Sequence, residues 1–235
     1  MSLELHTGLV VRGFTPPLRL ADFRLAAFDM DSTLINIECI DEIAAAAGLK
    51  AEVAAITEAT MRGEIADFKE SLRRRVALLR GIAEQALQQV HDERLRLNPG
   101  VETFVAALRA AGLKTLLVSG GFTFFSDRVA QRLQLDYTRA NVLEIADGKL
   151  TGRLVDQDWG DICDGEEKRR MLVQTCAALG IAGAQAMAVG DGANDLPMMG
   201  AAGLSIAYHA KPAVREKAML AINDGGMDRA LEILR

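Results

Sequence analysis

Short apolar runs alternate along this chain with longer amphipathic stretches. Arg24–Phe28, Lys114–Val118, Gln185–Val189 and Leu204–Ala207 are four or five residues long and rich in Ala, Val and Leu. Runs of that length, bounded by polar or glycine-rich turns, predict strands buried on both faces. Val101–Ala111, Phe122–Leu133 and Glu166–Leu179 repeat apolar residues every three or four positions and predict helices, with Lys211–Met219 and Gly226–Leu234 closing the chain as two more. Asn141–Val155 alternates about Asp147-Gly148, a two-residue hairpin signal. Strands alternating with helices predict an α/β fold, a doubly wound, Rossmann-like parallel sheet.

One block breaks the alternation. Between Ile37 and Asn98 the segments Ile40–Ala47, Ala51–Met61, Ile65–Leu79 and Glu84–Val90 all have helical composition and spacing, punctuated by Gly48, Gly63 and Gly81. This predicts a small α-helical cap (37–98) inserted into an α/β core (24–36 and 99–235), able to cover a site. A plain helical layer on the sheet is the alternative. Residues 1–23, ending in Thr15-Pro16-Pro17, read as an N-terminal lead-in strand or arm.

Composition narrows the class. The net charge of −5, with Arg73-Arg74-Arg75 as the longest basic block, argues against nucleic acid as a partner. No apolar run is long enough to span a membrane, and the first residues lack a signal-peptide pattern. Cys39, Cys163 and Cys176 form neither a disulfide framework nor a zinc spacing. The expectation is a cytoplasmic protein without a membrane partner. Monomer and homodimer both remain open.

The chemistry gathers where the strands end. Arg24–Phe28 runs into Asp29-Met-Asp31-Ser-Thr, and alternation turns Asp29 and Asp31 the same way. Seventeen aspartates in 235 residues give roughly one Asp-x-Asp by chance, and a second, Asp156/Asp158, falls in a polar stretch. The pair gains meaning from Ser119-Gly120-Gly121 after the second strand and Gly190-Asp191-Gly-Ala-Asn194-Asp195 after the third. In a parallel sheet all three turns share one edge, where ligands bind. Several carboxylates with no His or Cys near them imply a hard cation such as Mg2+. Ser119, the glycine amides and Asn194 supply donors, and metal acceptors beside anion donors suit a phosphoryl group.

Asp-Met-Asp-Ser-Thr, Ser-Gly-Gly-Phe, a lysine and Gly-Asp-Gly-Ala-Asn-Asp together resemble the haloacid dehalogenase superfamily of phosphohydrolases, over residues 24–235. The resemblance implies Mg2+-dependent hydrolysis of a small phospho-amino acid, free phosphoserine, as the last step of serine biosynthesis. It makes Asp29 the nucleophile and Asp31 the general acid and base. The metal would sit on Asp29, Asp31 (through its carbonyl) and Asp191, with Asp195 nearby. Ser119, Gly120 and Gly121 would hold phosphate oxygens. Lys168 fits the family's lysine, since it follows Glu166-Glu167 at a helix start; Lys149, in a hairpin turn, is the competitor. Within the helical block, Glu38 would take the substrate ammonium and Arg75 its carboxylate, with Met61 and Phe68 as apolar walls. Arg73 and Arg74 read as a solvated face, Cys39 and Cys176 as small core residues, and His6, His91 and His209 as bystanders.

Two other readings compete. One is a phosphatase or phosphotransferase for phosphohomoserine, phosphothreonine or another small phosphomonoester. The other is a non-catalytic metabolite-binding protein on the same fold, which would need no nucleophile.

Overall fold

The computed structural model describes residues 2–62, 64–65 and 67–235, Ser2 and Met61 by their backbone alone. In chain order it opens with β1 (Ser2–His6), β2 (Leu9–Arg12) and β3 (Leu25–Phe28). Five helices follow: α1 (Cys39–Ala46), α2 (Lys50–Met61), α3 (Phe68–Leu78), α4 (Gln85–Glu93) and α5 (Val101–Ala110). Then come β4 (Lys114–Phe122), α6 (Thr123–Leu133), β5 (Tyr137–Ala146), β6 (Lys149–Val155) and α7 (Gly165–Ala178). The chain closes through β7 (Ala186–Gly190), α8 (Leu196–Ala201), β8 (Leu204–Tyr208), α9 (Pro212–Lys217) and β9 (Leu220–Ile222).

The strands form one nine-stranded sheet, ordered β1-β2-β9-β8-β7-β3-β4-β5-β6. From β9 to β5 every neighbouring pair is parallel; the hairpins β1–β2 and β5–β6, and the β2–β9 contact, are antiparallel. All four residues of β3 are fully buried because both faces are covered. Alternation sends Ala26 and Phe28 to one side, among Phe104 and Leu108 of α5 and Phe125 and Val129 of α6. Leu25 and Ala27 face the other, against Leu172 of α7, Met198 of α8 and Val214 of α9. Phe28 meets Phe104 edge-on at 6.2 Å, a favoured arrangement for aromatic pairs. Helices on both faces of a parallel core make this the expected doubly wound α/β class.

Four details depart from the sequence reading. The N-terminal segment supplies two strands, and it joins the sheet because β2 buries Leu9 and Val11 while pairing with β9. The expected last strand, Leu204–Ala207, is followed by β9; the predicted helix over 211–219 stops at Lys217, since Ala218 is extended and Leu220–Ile222 is drawn into the sheet. Residues 227–232 form a 3-10 turn where an α-helix is predicted. The predicted turn Ser119-Gly120-Gly121 lies inside β4, across a register shift between Val118 and Phe122.

The helices α1–α4 are tied to the sheet at two places. At their base the chain enters and leaves side by side: Asn36 N–H donates to Arg96 O at 3.0 Å, and Asn98 N–H to Leu34 O and the Asn98 side chain to the carbonyls of Thr33 and Ile35 at 2.9 Å each. Further out, residues 81–84 run along β6, with Gly81 N–H on Leu150 O, Leu150 N–H on Ile82 O and Glu84 N–H on Gly148 O.

Candidate active site

Strands β4, β3 and β7 are parallel neighbours, so their carboxyl ends open together. Asp29, Asp31, Ser119, Gly120, Gly121, Asp191 and Asn194 line one cavity of about 790 Å3 there. Glu38, Phe68 and Arg75, from or beside the α1–α4 helices, line the same cavity. Of the other residues expected to form the site, Lys168 and Asp195 are fully buried and join it through Asp29 rather than lining the cavity, and the side chain of Met61 lies outside the described residues.

Lys168 sits at the centre of the charge. Asp164 caps the start of α7, accepting from Glu167 N–H at 2.9 Å, and the first turn carries Lys168 inward until it is wholly buried. Its ammonium donates to Asp29 Oδ1 at 2.5 Å and Asp195 Oδ1 at 2.7 Å. Lys149, the competing lysine, is exposed beside the β5–β6 turn. Burial alone would depress Lys168, but Asp195 and Asp29 outweigh it and hold the ammonium protonated.

Oxygen atoms of Asp29, Asp191 and Asp195 lie within 4.8 Å of one another. Burial pushes the Asp29 carboxyl well above the usual carboxylate range, Asp195 and Asp191 add to the rise, and Lys168 opposes it. Asp191 is raised to about 6 by burial and by Asp195 and Glu38. One lysine thus undercompensates three carboxylates. An all-oxygen donor set with that surplus of negative charge fits a hard divalent cation. The three are not equivalent: Asp195 already accepts from Lys168 on Oδ1 and from Asp191 and Gly192 N–H on Oδ2, so Asp29 and Asp191 have the freer oxygens.

Asp31 is held differently. Its carboxylate accepts from Cys39 N–H at 3.0 Å and from the Cys39 thiol at 3.3 Å. Removal from water and the nearby Glu38 nevertheless raise it to about 7. Two adjacent aspartates in one site, one paired with an ammonium and one poised near neutrality, suit separate nucleophile and acid–base roles.

The anion side is built from β4. Ser119 is buried, and its Oγ accepts from Gly121 N–H at 2.9 Å. Side chains would be crowded here: a Cβ on Gly121 would lie 3.4 Å from Asp31 Oδ1 and 3.0 Å from Met30 Cε, and one on Gly120 would lie 3.1 Å from Phe68 Cζ. The bare backbone leaves room for a ligand to approach.

Arg75 is half-buried, and its Nε finds no hydrogen-bond partner among the described residues. Burial lowers its pKa, opposed by Asp41, Glu38 and Asp31.

Several contributors are absent from the sequence reading. Cys39 is buried as expected, but it bonds Asp31 rather than serving only as core. Thr33 Oγ1 donates to Asp191 Oδ1 at 3.3 Å, and Ser32 Oγ to Glu38 Oε1 at 2.6 Å; both hydroxyls stand in the Asp-Met-Asp-Ser-Thr run. Buried Asn141 clamps the glycine stretch, donating to Gly120 O and accepting from Cys163 N–H, each at 2.8 Å. Nothing in its neighbours distinguishes Asn141 from a strand residue. Lys211 lines the cavity mouth. Arg73 and Arg74 lie on an exposed helix face, as expected, and carry surface ion pairs there: Arg73, with Lys69, pairs with Asp161, while Arg74 pairs with Glu70. Asp156 and Asp158 are exposed, away from the cavity.

A parallel α/β core with acidic and glycine-containing segments at adjacent strand ends defines a class, and the model of the haloacid dehalogenase-like hydrolase family matches residues 23–203. The chain belongs to that family. It is 68% identical over 232 residues to phosphoserine phosphatase of Polaromonas sp. (strain JS666), covering 99% of this chain and 98% of the relative. It is 69% identical over 228 residues to phosphoserine phosphatase of Albidiferax ferrireducens, covering 97% and 96%. Among solved structures, a phospho-aspartyl intermediate analogue of phosphoserine phosphatase matches with a TM-score of 0.82 and 38% identity, over 91% of this chain and 99% of that one. No helix among the described residues is long and apolar enough to cross a membrane.

Proposed function

We propose that this chain hydrolyses O-phospho-L-serine to L-serine and phosphate with Mg2+, completing serine biosynthesis in the cytoplasm. The observation that carries the reading is a single cavity lined by two chemically distinct sets of groups: Asp29, Asp31, Ser119 and Asp191 in one, Glu38 and Arg75 in the other. A small zwitterion bearing a phosphate has complementary groups for both. The high-identity relatives named for this activity support the substrate.

In this reading Asp29 attacks the phosphorus and forms an aspartyl-phosphate, while Asp31, with its carboxyl near 7, gives a proton to the departing serine oxygen. Asp31 then takes a proton from the water that hydrolyses the intermediate, returning both carboxyls to their starting states. Lys168, Ser119 and the Gly120 and Gly121 amides offset phosphate charge, with Asn194 beside them. Asp29, the Asp31 carbonyl and Asp191 would hold Mg2+, with Asp195 adjacent. Bound there, the cation would neutralise charge among carboxylates and phosphate. Arg75 grips the substrate carboxylate as a planar fork, Glu38 the ammonium, and Phe68 packs against the carbon chain. The helices 37–98 act as the cap that excludes water.

The test is phosphate release from phosphoserine, phosphothreonine, phosphohomoserine and an aryl phosphate, with Mg2+ and after chelation. Mg2+-dependent preference for phosphoserine is expected. Preference for phosphohomoserine or phosphothreonine would replace the substrate, and no release from any of the four would leave a binding protein.

A further inference from the structure

Ser32 occupies a backbone position that serine ordinarily avoids. It follows Asp31 in the tight turn after β3, with φ +55° and ψ 1°, the left-handed region. Glycine enters that region freely and asparagine tolerates it, whereas other residues meet a steric cost. A side chain retained at such a position calls for a use. Here the use is visible: Ser32 Oγ donates to Glu38 Oε1 at 2.6 Å. The same residue's N–H donates to the carbonyl of Ile37, immediately before Glu38, at 3.2 Å. Ser32 therefore holds Glu38 at two points, by the preceding peptide and by the carboxylate.

Glu38 needs such a hold. It is exposed on the cavity wall, just ahead of α1. A solvated glutamate has three side-chain torsions, and freezing them on substrate binding costs entropy. A hydroxyl already bound to Oε1 reduces that cost, and it leaves Oε2 and a lone pair of Oε1 to accept from an incoming cation.

We infer that Ser32 is a specificity-positioning residue: its hydroxyl fixes the Glu38 carboxylate to receive the substrate ammonium, coupling the catalytic turn to amino-acid recognition. This rests on the proposed substrate. Ser32 touches neither phosphate nor nucleophile in this role.

The experiment compares phosphoserine with 3-phospholactate, which keeps phosphate and carboxylate but has a hydroxyl where phosphoserine has its ammonium. The readout is the ratio of kcat/KM for the two substrates within each variant, so loss of folded protein cancels. Ser32→Ala should lower that ratio about 3–10-fold, chiefly through KM, as expected for one hydrogen bond to a charged group. Ser32→Gly, which relieves the backbone while removing the hydroxyl, should lower it equally. In a Glu38→Gln background the ratio should no longer respond to Ser32→Ala, because the two residues act as one unit. An unchanged ratio in Ser32→Ala, wild-type behaviour of Ser32→Gly, or a full additional loss in the double variant would each overturn the positioning role. A wild-type enzyme indifferent to the ammonium would instead overturn the proposed substrate itself.

Discussion

The ammonium of Lys168 lies 2.5 Å from Asp29 Oδ1 with both side chains out of water. Because it also reaches Asp195 at 2.7 Å, one cation ties α7 to the loops after β3 and β7. The proposed catalytic charge and structural cohesion therefore share an atom.

Lys168→Met is expected to destabilise the metal-free protein by about 3–5 kcal/mol, the usual cost of stranding buried carboxylates. Activity should fall by about 10²–10³-fold with the loss of one charge-stabilising donor. Urea melts with and without Mg2+ check the first effect, and part of the lost stability should return with the cation. Unchanged melting would mean that the aspartates do not need this counter-charge.

Asp31→Asn should slow both formation and hydrolysis of the phosphoenzyme, by roughly 10²–10⁴-fold. Its effect on Mg2+ affinity should be smaller than that of Asp191→Asn, whose carboxylate stands among the acidic oxygens. Rapid-quench kinetics and metal titration separate the two. Equal metal loss in both variants would contradict the division of roles.

Arg75→Ala should reduce the preference for phosphoserine over an aryl phosphate by about 10–150-fold, the worth of a charge-assisted contact of roughly 1.5–3 kcal/mol. Arg75→Lys should recover only part, since an ammonium lacks the planar fork. Arg74→Ala is the suitable control; Arg73 is not, because it pairs with Asp161 across to the loop before α7. A preference unchanged by Arg75→Ala would move carboxylate recognition elsewhere.

Away from the site, Asp136 accepts from Thr115 N–H and Oγ1 at 2.9 Å and from Lys114 at 2.5 Å, locking the start of β5 to β4. Burial works to raise its pKa, but the Lys114 and Thr115 bonds prevail and lower it. A folded value below the unfolded one gives stability that is complete above about pH 4 and disappears as pH falls through the folded value. Asp136→Asn should therefore cost about 1–2 kcal/mol at pH 7 and progressively less below pH 4 in denaturant melts. A pH-independent difference would assign the effect to packing.

The core of this molecule is legible in its sequence because periodicity and burial coincide there. Leu25–Phe28, Leu116–Val118 and Ala186–Val189 are apolar throughout, and strand ends carrying Asp29, Ser119 and Asp191 follow from that pattern alone. The edges are less legible: Leu9–Arg12 and Leu220–Ile222 are short, and their pairing across nearly the whole chain length leaves no local signal. Ser119–Gly121 carries turn residues yet stays extended, because Asn141 and the Ser119 hydroxyl hold it. Ser32 and Cys39 were hidden for another reason. Their contribution is a contact with a neighbouring functional side chain, and residue type announces a ligand more readily than a brace.

The pairing of β3 with strands on either side has a consequence for how activity arises in a growing or refolding chain. Leu25 is in register with Lys114 on one side and Ala186 on the other, so the segment bearing Asp29 gains its neighbours only after long loops close. Closing such loops is entropically uphill before the contacts repay it, and topologies of this kind assemble slowly. The three strand ends that contribute to the cavity are consequently expected to come together late. Recovery of activity during refolding should then lag behind recovery of helix signal, with the unpaired edges of β3 exposed to misassociation in the interval.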